Sequence, residues 1–191
     1  MKVFIIEGPD NSGKNTLITS ILENHDVVKV IHCHKPDKGV EDPFIAMKEI
    51  YNKYLSDIIE DNYHNRIDAV VFNRYYQSEY VYGQMYRNGD PEKIKGLISD
   101  IEKILIDIFG QENIYYIQLT TDSPELLQNN EDGKSLSAGK IEKIKHELKL
   151  FDEVFKISKL KNKKKICISN HGKFRNRKNI VNQFLKYIDY V

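Results

Sequence analysis

Arginine is scarce in this chain of 191 residues: among 29 basic side chains it occurs only at positions 66, 74, 87, 175 and 177, and nowhere between residues 88 and 174. Acidic residues number 28, so the formal net charge is +1. A broad electrostatic surface for nucleic acid or a membrane is not expected from so balanced a chain. Cysteine is scarcer still. Cys33 and Cys167 form no metal-binding spacing, and the expectation is a reducing, cytoplasmic setting. Long apolar runs are also lacking. The first run, residues 3–6, is too short for a signal peptide or a membrane span. The length fits one domain with a substantial core. Lys, Asn, Ile and Tyr are abundant, as in AT-rich coding sequences, which hints at a low-GC bacterium or its phage.

What is present is alternation. Short apolar runs at residues 2–7, 27–32, 69–73, 114–119 and 165–169 have the length of strands buried on both faces. Helical patterns separate them. Asp42-Pro43 and Asp90-Pro91 each combine an N-cap residue with proline at the first helical position. Behind them run the stripes Phe44, Met47, Tyr51, Leu55, Ile58 and Ile94, Leu97, Ile98, Ile101, Leu105, Ile108. Further stripes follow at residues 141–155 and 180–188. Strands alternating with helices imply a three-layer α/β/α fold around a five-stranded parallel sheet. Ligands of such sheets bind beyond the carboxyl ends of the strands.

Three polar turns are expected at that end. The first is GPDNSGKNT, residues 8–16. Its glycines let the backbone curl so that several N–H groups face one anion, and the helix beginning near Lys14 adds its positive dipole end. Gly8, Asn11, Ser12, Gly13, Lys14, Asn15 and Thr16 are therefore the candidate phosphate-binding residues, with Lys14 reaching the β- and γ-phosphates of ATP. The position after the lysine, where a hydroxyl normally meets Mg²⁺, is Asn15; the hydroxyl follows one place later, at Thr16. An amide oxygen can ligate a hard cation, so both are candidate metal ligands.

The second turn opens FNRYYQSEYVYGQMYR, residues 72–87. Two of the five arginines flank a tyrosine-rich helix here. The loop at 8–16 resembles the Gly-x-Asp-x-x-Gly-Lys loop of thymidylate kinases. Asn73-Arg74-Tyr75, followed by Ser78 and Tyr82, resembles their Asp-Arg-Tyr-x-x-Ser-x-x-x-Tyr signature. SEYVYGxxYR is similar to the phage-encoded branch of thymidylate and deoxynucleoside kinase relatives. The resemblance implies a P-loop nucleoside monophosphate kinase-like fold, ATP and Mg²⁺ as cofactors, small nucleotides as partners and a homodimer. It implies that Asp10 approaches the acceptor sugar and orients Arg74, that Arg74 grips the acceptor phosphate, and that Tyr82 packs near the deoxyribose. Tyr75, Ser78 and Arg87 join them as acceptor-binding candidates. Asn73 falls where the family has a carboxylate that organises magnesium through water.

The segment NNEDGKSLSAGK, residues 129–140, resembles in position the family's lid. It has no arginine, and Lys134 and Lys140 are its cations, Lys134 the catalytic candidate. The third turn, SNHGKFRNR at 169–177, is the adenine-side candidate: Asn170 for the base edge, Arg175 or Arg177 for stacking. Lysines 161 and 163–165 read as a solvated turn. His32, Cys33 and His34 cannot close one metal site, because neighbours on a strand point to opposite faces; His34 or Lys35 is expected near the acceptor phosphate. The leading expectation is transfer of the γ-phosphoryl of ATP to a deoxynucleoside monophosphate, first of all dTMP. The alternatives are a deoxynucleoside kinase with a carboxylate base among Glu7, Asp10, Asp37 and Glu79, a phage kinase acting on a modified base in DNA, and a nucleotide-binding protein without transfer.

Overall fold

A computed structural model describes residues 1–23, 27–37, 39–131, 133 and 135–189. The sheet is built around β1 (Lys2–Glu7), whose VFIIE run is buried on both faces. β1 pairs in parallel with β3 (Ala69–Asn73) on one side and β4 (Ile114–Thr120) on the other. β2 (Val28–His32) and β5 (Asn162–Cys167) complete the parallel order β2-β3-β1-β4-β5. Alternation along β1 divides the interior in two. Val3 and Ile5 face a layer with α2 (Pro43–Tyr63), α3 (Tyr76–Arg87), α4 (Pro91–Phe109) and most of α6 (Ile141–Ile157). Phe4 and Ile6 face α1 (Lys14–Leu22), α5 (Pro124–Asn129) and α7 (Arg177–Asp189). No helix among the described residues is long and apolar enough to cross a membrane.

The helix starts follow their sequence signals. Asp42 accepts from the Phe44 and Ile45 amides at 2.9 and 3.1 Å, and Asp90 accepts from Glu92 at 2.8 Å. Each satisfies donors that the first helical turn leaves without intrahelical partners.

The last strand differs from the expectation. β5 begins at Asn162, not at residue 165, so lysines 163–165 lie in a strand and only Lys161 precedes it. β5 is an edge strand, where lysine is favoured because it blocks further pairing. Their charges are also answered. Lys163 Nζ donates to the Phe155 and Ser158 carbonyls at 2.8 and 2.6 Å, and Lys165 pairs with Asp152 at 2.6 Å. Lys163 and Lys165 also lie over the Phe155 ring. Beyond β5 the turn at 169–177 is a small hairpin, β6 (Ser169–Asn170) with β7 (Lys173–Phe174). His171 and Gly172 both have positive φ, 49° and 73°, the two-residue hairpin turn that matches strand twist.

Phe184 of α7 is fully buried and meets the ring of Phe4 edge-on at 6.4 Å. Phe184→Ala is expected to cost about 3–5 kcal/mol, whereas Asp42→Ala removes one cap and costs about 1 kcal/mol. Urea unfolding monitored by circular dichroism measures both; equal losses would refute this ranking.

Candidate active site

The phosphate-loop candidate leaves β1 at Gly8. Its φ is 139°, and a Cβ there would stand 2.7 Å from the Leu119 carbonyl oxygen, so no side chain fits. Asn11 and Gly13 are left-handed, with φ 60° and 86°. Gly13 is also the N-cap of α1, and no side chain caps that helix start. Its free N–H groups and dipole therefore face the loop. Lys14 is folded inward. Its Nζ donates to the Pro9 carbonyl at 2.7 Å and the Gly8 carbonyl at 3.2 Å. Burial, and secondly the charge of Arg74, push the Lys14 ammonium down to about 7, against the opposing pull of Asp10, Glu7 and Glu147.

Arg74 follows β3 in a left-handed conformation, φ 68°, rare for a side chain of its size. Its backbone N–H donates to Ile6 O at 3.0 Å. The guanidinium donates through one nitrogen to Gly8 O at 2.9 Å and to the Tyr82 hydroxyl at 2.8 Å, and through the other to Asp10 at 2.5 Å. It also lies over the Tyr82 ring, 4.8 Å from the centroid. The expected neighbours Asp10, Arg74 and Tyr82 are thus brought together.

The turn is held from below by Glu7, the last residue of β1. Its wholly buried carboxylate accepts from the Tyr75 amide at 2.7 Å, the Ser78 amide at 3.3 Å and the Ser78 hydroxyl at 2.6 Å. Glu7 is the cap that α3 lacks locally, since Tyr75 supplies no side-chain cap. Burial raises the Glu7 pKa; Arg74, Ser78, Tyr75 and Lys14 oppose that rise. Ser78 therefore commits its hydroxyl to Glu7. Tyr75 stacks on Phe72 at 3.9 Å and donates to Tyr51 O at 3.3 Å, so it forms wall, not reaching group.

Two pockets meet at this turn. The larger, about 730 Å³, runs along loop residues 10–16 and past Asn73 to Phe174, Arg175, Arg177 and Ile180. The smaller, about 280 Å³, contains Cys33, His34, Lys35, Met47, Tyr51, Ser78, Arg87 and Leu136. Asp10 and Arg74 line both. Arg175 and Arg177 line the larger pocket. Asn170 does not: it is exposed, paired with Lys173 in the hairpin, and outside the cleft lining. Lys134 lies outside the described residues. In the lid segment, Glu131 accepts from the Gly133 amide at 2.9 Å, and Leu136 reaches the smaller pocket. Lys140 is exposed at the start of α6.

Further pairings around the site carry no sequence signal. Arg87 pairs at 2.6 Å with Glu79, which is buried and also accepts from the Tyr51 hydroxyl at 3.4 Å. A Cβ at Gly83 would collide with the Glu79 carboxylate. Glu147, on the buried face of α6, accepts from the Tyr86 hydroxyl at 2.8 Å, and burial pushes its carboxyl up to about 7. His32 ends β2 beside Asn73, whose amide nitrogen lies 3.0 Å from His32 Nδ1 and 2.9 Å from Asn15 Oδ1. A pattern of residue types along one chain cannot announce such cross-element pairs.

The same arrangement of layers occurs in solved structures. A thymidylate kinase from Ehrlichia chaffeensis matches with a TM-score of 0.64 at 15% identity, over 97% of each chain. A thymidylate kinase from Candida albicans matches with a TM-score of 0.59 at 16% identity, over 99% of this chain and 91% of that one. Polyphosphate kinase 2 from Arthrobacter aurescens TC1 matches with a TM-score of 0.60 at 10% identity, over 97% of this chain and 65% of that one. No protein-family model and no curated protein matches the chain. At such identities the likeness is one of architecture: the chain has the thymidylate kinase-like P-loop kinase fold.

Proposed function

We propose that this protein is a nucleotide kinase that moves the γ-phosphoryl group of ATP to a deoxynucleoside monophosphate, with dTMP the first acceptor to test. The observation that carries this reading is the meeting of two pockets at the Arg74–Asp10 pair. The larger takes ATP, with its phosphates on the uncapped start of α1 and Lys14, and its base toward Phe174, Arg175 and Arg177. The smaller takes the acceptor, whose phosphate meets Arg74 at the shared wall. A planar guanidinium suits that grip because it can present two parallel donors to one phosphate.

The acceptor pocket favours a phosphorylated substrate. Arg74, Arg87, His34 and Lys35 line it, against Asp10 as the one carboxylate among the described residues that line it. A nucleoside acceptor needs a base for its 5′-hydroxyl. Glu7 caps α3 and Glu79 is paired with Arg87, while Asp37 is exposed and does not line the pocket. A phosphate acceptor needs none, because its second pKa is about 6 and its oxygens are already ionised at neutral pH. In the transfer, the bond from the γ-phosphorus to the bridging oxygen of ADP breaks and a bond to the acceptor phosphate oxygen forms. The protein contributes position and positive charge: Lys14 on the donor side, Arg74 between the two phosphates, Asp10 and Tyr82 fixing Arg74.

Kinases of this type act on ATP with Mg²⁺, which prefers one or two carboxylates besides the substrate phosphates. Here the corner offers the amides of Asn15 and Asn73 and the hydroxyl of Thr16. These oxygens are donors a hard cation accepts, and a carboxylate is what the three residues lack.

Two outcomes are expected. With ATP, a divalent cation and a panel of deoxynucleosides, their monophosphates and DNA, chromatography should show dTDP formed from dTMP. Lys14→Ala should lower kcat by about a hundred-fold or more. ATP bound without product from any acceptor would overturn the kinase reading, and a monophosphate made from a nucleoside would move the acceptor to a hydroxyl. The second outcome concerns pH. Phosphate anions favour the charged form of Lys14 and so raise its pKa from about 7 on binding. Binding then takes up a proton above that pH, and affinity for a non-hydrolysable ATP analogue falls as pH rises, by at most about ten-fold per unit. Calorimetry in buffers of different ionisation enthalpy measures the uptake; Lys14→Met should abolish it.

A further inference from the structure

Arg87 brings more donors to the smaller pocket than the protein uses. It ends α3 and lines that pocket. Its Nη2 donates to Glu79 Oε2 at 2.6 Å, and among the described residues Glu79 is the one hydrogen-bond partner of this guanidinium. Nε is buried with no partner, and Nη1 is likewise free. A guanidinium has N–H groups to give and no lone pair to offer. Unmet donors at the wall of a cavity are costly until an occupant supplies an acceptor.

The surroundings narrow what that acceptor is. Tyr51 donates to the same Glu79 oxygen at 3.4 Å, so Tyr51 and Arg87 meet at one point. Glu79 is buried behind them and does not line the pocket. It cancels the charge of Arg87 in place, so this end suits a neutral acceptor atom better than a second phosphate. The lining carboxylate, Asp10, is bonded to Arg74. Arg74 stands just before α3, about three helical turns from Arg87. A nucleotide with its phosphate at Arg74 lays its base toward Arg87, beside Met47 and Tyr51. A carbonyl oxygen on that base meets the free N–H groups. An amino group in its place leaves them unpaired and sets donor against donor.

We infer that Arg87 is a specificity-determining residue of the smaller pocket, donating to a keto oxygen of the acceptor base and rejecting bases that carry an amino group there. The inference rests on the reading of this pocket as the acceptor site. Its test uses the full chain and two monophosphates that differ at one position of the base, dUMP with a carbonyl and dCMP with an amino group. Calorimetric titration should show dUMP bound at least about ten-fold more tightly. In arginine-labelled protein, dUMP but not dCMP should shift the Arg87 guanidinium resonances. The double variant Glu79→Gln, Arg87→Met removes both buried charges together. With its fold checked by circular dichroism, it should lose the preference through weaker dUMP binding. Equal binding of both nucleotides, unmoved Arg87 resonances, or a preference kept by the folded double variant overturns the role of Arg87 alone. Neither nucleotide bound overturns the acceptor pocket and this assignment together.

Discussion

The site depends on a carboxylate that never reaches solvent. Glu7 ends the central strand, and its oxygens receive the first amides and the first hydroxyl of α3. This contact fastens a helix start to a strand end 71 residues away in sequence. Between them lies Arg74, forced into the left-handed region by the short path from β3 into α3. Such a conformation persists only where its surroundings over-determine it. Here the Ile6 carbonyl holds the backbone, Glu7 holds the two following turns, and Gly8, Asp10 and Tyr82 hold the guanidinium. The wall between the pockets is therefore rigid for reasons that begin in β1.

Burying Glu7 is costly, as its raised pKa shows. Four donors and charges around it offset that cost, and the gain is orientation. The same logic recurs one turn further along α3, where Glu79 and Arg87 pair against Tyr51. Glu7 holds the turn that follows Arg74, Glu79 pairs with Arg87, and both arginines line the smaller pocket. Glycine makes room for Glu79, since a Cβ at Gly83 would meet its carboxylate. The aromatic residues that read as a wrapped helix are divided by role. Tyr75 and Tyr76 are core, Tyr82 is a platform under Arg74, and Tyr86 anchors α6 through Glu147.

Much of this fold could be read from the chain, and the reasons for the failures are physical. Strands buried on both faces announce themselves as apolar runs, so β1 and β3 fell where the sequence placed them. β5 did not, because an edge strand carries lysines that imitate a loop. The glycine-rich turn after β1 and the left-handed turn at Arg74 lie at the carboxyl ends of their strands, where the sequence put them. Asn170 was misplaced because two backbone hydrogen-bonding residues of a hairpin look, in sequence, like any polar turn. Glu147 carried no sequence signal, while Glu7 and Glu79, read only as possible bases, and His32, set aside with its neighbours, take their contacts from partners distant in the chain. No periodicity encodes a contact between β2 and β3.

The distribution of arginine has a practical side. Arg74, Arg87, Arg175 and Arg177 all line one pocket or the other, and Arg66 is the one that does not, pairing instead with Glu60 on the surface. In most proteins a dicarbonyl reagent that attacks guanidinium groups modifies too many places to be informative. This chain makes such a reagent a near-selective stain for its two clefts, with a single bystander at position 66 whose modification can be recognised by its own peptide.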